Sequence, residues 1–141
     1  TERKKFKKVL FRLPTEPEWI MAAGGGLNNP AYPWGGLFIR NSKGCYLCNM
    51  TVTIPCGDCP SKGQPDNDGG FFPVEADTYF PNNFGLYNVA GNVAEMIQES
   101  GKCKGGSWND IPYYGQLKTI AECDTPSPAV GFRVFMEIIE E

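Results

Sequence analysis

The sequence predicts an α+β domain that is loop-rich, with short helices and a small antiparallel sheet. Three observations carry this reading. Gly 17 and Pro 12 make up about a fifth of the 141 residues, where average usage would give roughly an eighth, so long regular helices are excluded as the dominant element. Apolar periodicity comes in short runs, helical near the start and strand-like in the last third. Between them, Leu27 to Asn83 is rich in Gly, Pro, Asn, Asp and Cys with aromatics scattered through it. A chain of this length is one domain's worth, burying roughly 68–70% of its unfolded surface.

Lys7 to Leu13 reads as a short strand. Thr15-Glu16-Pro17-Glu18 is a helix start: the Thr15 hydroxyl is placed to cap the Glu18 amide, the Glu18 carboxylate reaches back, and Pro17 is tolerated in a first turn. The helix runs from Glu16 to Ala23 through Trp19, Ile20, Met21 and Ala22, and Gly24-Gly25-Gly26 stops it. At about two turns it depends on tertiary packing. In the long middle segment, Tyr32, Trp34, Phe38, Tyr46, Phe71, Phe72, Tyr79 and Phe80 argue for ordered loops, with bound cations and sulfur bridges standing in for regular hydrogen bonds. Leu86 to Met96 reads as a turn and short helix. Cys103 to Trp108, Leu117 to Cys123 and Val130 to Ile138 read as strands, the last with Phe132, Val134 and Met136 alternating.

The chain has no histidine. Ser-His-Asp and Cys-His catalysis, histidine-ligated zinc or iron, and histidine pH switching are therefore closed to it alone. Formal charge is −3 but uneven: residues 1–12 hold six basic residues against one acidic, a net +5, and the remainder sums to −8. The basic arm reads as a solvated lead into Val9-Leu10-Phe11 rather than a nucleic-acid or lipid contact. No run approaches the roughly 18 apolar residues of a membrane span, and there is neither a signal-peptide pattern nor an initiating Met. A mature form or a fragment is expected, with any leader or lipid anchor outside this sequence.

Five strings occur in order: Arg12-Leu13-Pro14-Thr15-Glu16-Pro17-Glu18-Trp19; Tyr32-Pro33-Trp34-Gly35; Phe84-Gly85-Leu86-Tyr87-Asn88-Val89-Ala90-Gly91-Asn92-Val93-Ala94-Glu95; Lys104-Gly105-Gly106-Ser107-Trp108; and Gly131-Phe132-Arg133. Together they resemble the formylglycine-generating enzyme, or sulfatase-modifying factor, domain across residues 1–141, without the family's N-terminal part. The resemblance implies a variant C-type-lectin-like fold with bound calcium. It implies one calcium site from the side chains of Asn88 and Glu95 with the carbonyls of Gly91 and Val93. It implies a second from the Asn49 and Asp66 side chains with the carbonyls of Met50 and Asp68. Calcium takes six to eight hard oxygens from irregular loops, which suits both sets, although Asn, Asp and Gly also make ordinary turns.

The family's oxidase members use two copper-binding cysteines after the Gly-Gly-Ser-aromatic string, and those positions fall here on Asp110 and Gly115. Its iron-dependent sulfoxide synthases need three histidines. The resemblance therefore leads to the expectation of a non-catalytic pseudoenzyme, and Asp110, Tyr113 and Tyr114 read as exposed turn residues and a packing aromatic rather than as a small acid-and-phenol site. The Cys-rich segment and the ending after Gly131-Phe132-Arg133 resemble divergent lipoproteins of gliding motility and type IX secretion. They imply a structural or protein-interaction component of a periplasmic or outer-membrane assembly, with protein partners and no nucleic acid. The alternatives are a metal-dependent oxidoreductase of the same fold with a non-standard site, and a lectin-like ligand-binding module.

Cys45-x-x-Cys48 and Cys56-x-x-Cys59 have the look of a four-thiolate zinc knuckle, with a short intervening loop. Disulfides in an oxidising compartment and free structural thiols are the two competing readings, and disulfides are favoured by the even total of six cysteines. Cys103 with Cys123 is the preferred long-range bridge, because the strands that carry them are expected to be antiparallel neighbours.

Overall fold

The computed structural model describes residues 6–51 and 72–140. Strand β1, Lys8–Arg12, leads into helix α1, Glu16–Gly24. The capping box is formed: the Thr15 side chain accepts from the Glu18 amide, and the Thr15 amide donates to Glu18 Oε2 at 2.9 Å. Gly25 closes the helix in the left-handed region, φ 57°, donating its N–H to Ala22 O. Arg12 ties strand to helix, donating Nη1 and Nη2 to the two Glu18 oxygens at 2.7 Å each and Nε to Glu137 at 2.7 Å. The Arg12 guanidinium, helped by the Thr15 amide, pulls the Glu18 carboxyl down to about 2.

One helix stripe is buried. Trp19 and Ala23 pack with Val89, Ile97 and Leu117, and Ile20 and Leu86 flank them. This core holds a nine-residue helix that would be marginal alone.

Residues 86–96 are not helical before they become a strand. Asn88, Gly91 and Asn92 take left-handed φ values of 50°, 78° and 69°, which no right-handed helix accommodates. Their backbone bonds go to distant segments instead: Gly91 N donates to Gly105 O at 2.8 Å and Asn92 N to Asn49 O at 2.8 Å. Only Ala94–Met96 is regular, as β2. Strand β3 is Lys102–Lys104, cut short by Gly105 and Gly106 at φ 87° and 67°. A 3₁₀ turn occupies Pro112–Gly115 and β4 is Ala121–Glu122.

The expected strand from Val130 to Ile138 is two strands in different sheets, β5 (Val130–Phe132) and β6 (Phe135–Glu140). Arg133 lies at the break, its guanidinium turned to the Tyr87 carbonyl and Glu95. One sheet has the order β4-β3-β2-β5, with β2 and β5 parallel, and the other is the antiparallel ribbon β1-β6. The single antiparallel sheet expected from sequence is thus corrected to two sheets, one of them mixed. The α+β class stands.

Cys103 and Cys123 form the expected disulfide, with Cα atoms 5.9 Å apart. Antiparallel pairing of β3 with β4 brings them together: Lys102 faces Glu122, and Cys123 N donates to Gly101 O. Among the described residues no helix is long and apolar enough to cross a membrane.

Candidate functional site

The turn from Asn88 to Glu95 is the hub of the irregular half. Besides its bonds to Gly105 and Asn49, Asn92 O accepts from Trp108 N at 2.9 Å. The Asn92 side chain bridges to the irregular segment at Val74, its Oδ1 accepting from Val74 N at 2.8 Å and its Nδ2 donating to Val74 O at 3.2 Å. Gly91 is required: a Cβ there would lie 2.5 Å from Asn49 O, and φ is +78°.

Glu95, 4% exposed, emerges from this turn beside α1. Trp19 Nε1 donates to its Oε2 at 2.8 Å, Arg133 Nη2 to Oε1 at 2.8 Å, and Arg133 Nε to both oxygens at 3.2 Å. The buried carboxylate is thus paired and hydrogen-bonded, as burial of a charge demands. Asn88 and Glu95 line one open cleft of about 520 Å³, together with Asp77, Phe132 and Arg133. Asn88 Nδ2 donates to Ala76 O at 2.9 Å and Glu75 O at 3.3 Å, while Asn88 Oδ1 is buried and accepts from no donor among the described residues.

Asn49 is fully buried, and its Oδ1 is likewise without a donor among the described residues, while its Nδ2 donates to Phe72 O at 2.9 Å. Met50 follows it, also buried. Asp66 and Asp68 lie outside the described residues. In both places a buried amide oxygen lacks a hydrogen bond, a condition that costs about 1–3 kcal/mol unless another partner supplies it. A hard cation is such a partner, so the residues present fit calcium. No three acidic or thiol side chains converge among the described residues, so amide and carbonyl oxygens would supply much of the coordination.

Ser107, Asp110 and Gly115 lie beyond β3, in a segment tied to this turn through Gly105 O and Trp108 N. The Asp110 carboxylate accepts from Ser107 N at 2.8 Å and Ser107 Oγ at 2.6 Å, closing a tight loop; it is part-buried rather than a solvated turn residue. Gly115 is buried, and a Cβ there would lie 2.7 Å from Met50 Sδ and 3.4 Å from Tyr32 Cε1. The Met50 thioether therefore fills the place where a side chain at 115 would stand. Tyr32 stacks on Trp34 at 5.0 Å, donates its hydroxyl to Pro112 O at 2.9 Å, and has its phenol pKa pushed up by burial.

Cys45 is exposed and Cys48 buried. Cys56 and Cys59 lie outside the described residues, as do the zinc and disulfide expectations that rest on them. Sequence reasoning missed the role of Arg133, read only as part of a string. Charge balance is the signal that leads to it, since a carboxylate fixed beside a buried tryptophan requires a cation. It also missed Lys104, whose fully buried ammonium donates to Glu16 at 3.0 Å and lies 5.7 Å from the Trp19 ring centre.

Comparison with known proteins places this geometry. A formylglycine-generating enzyme of Thermomonospora curvata is 47% identical over 121 residues, covering 85% of this chain and 35% of that protein. The inactive C-alpha-formylglycine-generating enzyme 2 of Mus musculus is 40% identical over 111 residues, 70% of this chain and 32% of that one. The chain thus spans about a third of the length of these curated relatives. Among solved structures, Treponema denticola variable protein 1 superposes with a TM-score of 0.64 at 23% identity, over 95% of this chain and 50% of that one. The fold is the variant C-type-lectin-like one implied by the motifs.

The expectation of a pseudoenzyme is corrected by the first of these relatives, an enzyme by name, at 47% identity. Asp110 and Gly115 bear on one thiol-based chemistry at one place and do not speak for the whole domain. None of the relatives named here is a gliding-motility or type IX secretion component. Residues 2–138 match the domain described as Sulfatase-modifying factor enzyme 1-like, and the chain belongs to that family.

Proposed function

We propose that this chain is the calcium-braced part of a catalytic domain of the formylglycine-generating-enzyme type, an oxidoreductase working in an oxidising compartment. One calcium is held by the Asn88 and Glu95 side chains and the carbonyls of Gly91 and Val93. A second is held by the Asn49 side chain and the Met50 carbonyl with Asp66 and Asp68. The single observation that carries the reading is the joint between the Asn88–Glu95 turn and the Ser107 loop: Gly105 O and Trp108 N, on either side of Ser107, are both bonded to that turn. Ions at the turn would thereby hold the loop that in the family's oxidase members leads to the reacting thiols. Because residues 110 and 115 are Asp and Gly, the reaction centre proposed is a non-standard one, distinct from that thiol pair. The disulfide between Cys103 and Cys123 supports the compartment.

The test uses the whole protein. EDTA should lower its Tm and added calcium restore it, because an ion bound only by the folded state stabilises it by linkage. An unchanged Tm defeats the calcium reading. A cysteine-containing peptide, incubated in air with a thiol reductant and the metal-replete protein and read by mass spectrometry, should gain formylglycine. Dioxygen and two electrons from the thiol reductant convert its CH₂–SH to an aldehyde with release of sulfide and water. No turnover with copper, iron or calcium supplied defeats the catalytic reading.

A second reading is favoured by one observation. On the β1-β6 ribbon Val9 faces Ile138 and Phe11 faces Met136, and all four are exposed, at 37–64%. An apolar strip of this kind suits a protein partner in a cell-envelope assembly. Mild-detergent purification followed by mass spectrometry tests it, and a chain that purifies alone from its native source counts against it.

A further inference from the structure

We infer that Asp77 is an additional carboxylate ligand of the cation held at Asn88, one that the motif strings do not contain; the inference rests on the calcium reading above. The charged side chains lining the cleft are Asp77, Glu95 and Arg133. Glu95 and Arg133 are paired at 2.8 Å, so between them they bring no net charge to a dication. Glu95 is also short of lone pairs: a carboxylate has about four acceptor sites, and Trp19 Nε1, Arg133 Nη2 and Arg133 Nε already use most of them. Asp77 forms no ion pair among the described residues and supplies the uncompensated negative charge. Calcium affinity rises with the number of charged ligands.

The placement of Asp77 comes from Asn88. Only the NH₂ end of that amide can meet two carbonyls, so the bonds to Ala76 O and Glu75 O settle its orientation and direct Oδ1 away from them. The same bonds pin residues 75 and 76 against Asn88 and leave Asp77, the next residue, on the cleft wall. The bland alternative, a solvated aspartate in a turn, explains Asp77 but leaves the Oδ1 of Asn88, a residue lining the same cleft, buried and without a donor among the described residues. A hard cation between the two accounts for both.

The experiment is calcium titration of the full-length protein by calorimetry, comparing wild type, Asp77→Asn and Glu75→Gln, with the Tm of each calcium-free form. Asp77→Asn should weaken one class of sites by about tenfold or more and leave the calcium-free Tm unchanged. Glu75→Gln, which removes the same charge two residues away, should bind as wild type does. Asparagine at 77 within twofold of wild type overturns the inference, as does equal weakening by the two variants. In an Asn88→Ala background Asp77→Asn should cost nothing further, and an undiminished effect there would place Asp77 at some other site. A wild-type protein that takes up no calcium refutes the calcium reading itself, an outcome distinguishable from failure of Asp77 alone.

Discussion

Replacing Arg133 by methionine tests the central claim about Glu95. The substitution keeps an unbranched apolar stem but removes the guanidinium and its charge, leaving the Glu95 carboxylate with Trp19 Nε1 as its remaining partner among those described. Removing one member of a buried pair costs about 3–5 kcal/mol, because the other charge stays behind uncompensated. Here the Glu95 side chain is 6% exposed and that of Arg133 28%, so water recovers part of the loss and the lower end, about 3 kcal/mol, applies. At roughly 3–4 °C per kcal/mol for a domain of this size, Tm should fall by on the order of 10 °C. Urea unfolding followed by tryptophan fluorescence in EDTA is the assay, since Trp19 donates to the affected carboxylate. Glu95→Leu combined with Arg133→Met should recover most of the stability, since neither charge is then stranded. A loss below about 1 kcal/mol in the single variant, or a double variant as weak as the sum of the two singles, would refute the reasoning.

Two further outcomes are expected. Cys103→Ser with Cys123→Ser opens a loop of sequence separation 20 and should cost about 3 kcal/mol of equilibrium stability; a change under about 1 kcal/mol contradicts the structural role of the bridge. Glu18 has its pKa lowered from 4.5 to about 2 by Arg12 and the Thr15 amide, so its contribution is fully present above pH 4.5 and lost as pH falls toward 2. Glu18→Gln should flatten that part of an acid-unfolding profile, and a profile identical to wild type would count against the Arg12–Glu18 pairing.

What the sequence shows and what it hides follow from the range of the interactions. The capping box at Thr15 and Glu18 was legible because donor, acceptor and helix start all lie within four residues. The Cys103–Cys123 bridge was legible because it needs only adjacent antiparallel strands. The helix expected at 86–96 fails for the opposite reason. Leu86, Val89 and Ile97 do face the core, so their spacing was a true signal of burial but not of helix, and the left-handed conformations of Asn88, Gly91 and Asn92 are paid for by bonds to Asn49 and Gly105. The division of 130–138 was hidden likewise, since alternation of Phe132, Val134 and Met136 says nothing of Arg133 turning inward to a carboxylate 38 positions away.

Residue matching likewise located Asp110 and Gly115 without showing what replaced the lost side chains, and the replacement is chemically specific. The Asp110 carboxylate closes the loop on Ser107, and Met50 occupies the volume beside Gly115. A thiol at 115 would require Met50 to move, because its Sδ stands 2.7 Å from the Cβ position, and a thiol at 110 would forgo two hydrogen bonds to Ser107. Met50 also lies under Gly91 and Gly106, with its Cγ 2.9 Å and its Cε 2.7 Å from where their Cβ atoms would be. One methionine therefore packs against the turn carrying Asn88, the loop carrying Ser107 and the segment carrying Gly115, while its neighbour Asn49 bonds the same turn. This contact ties the two buried amide oxygens of Asn49 and Asn88 to the Ser107 loop by packing as well as by hydrogen bonds.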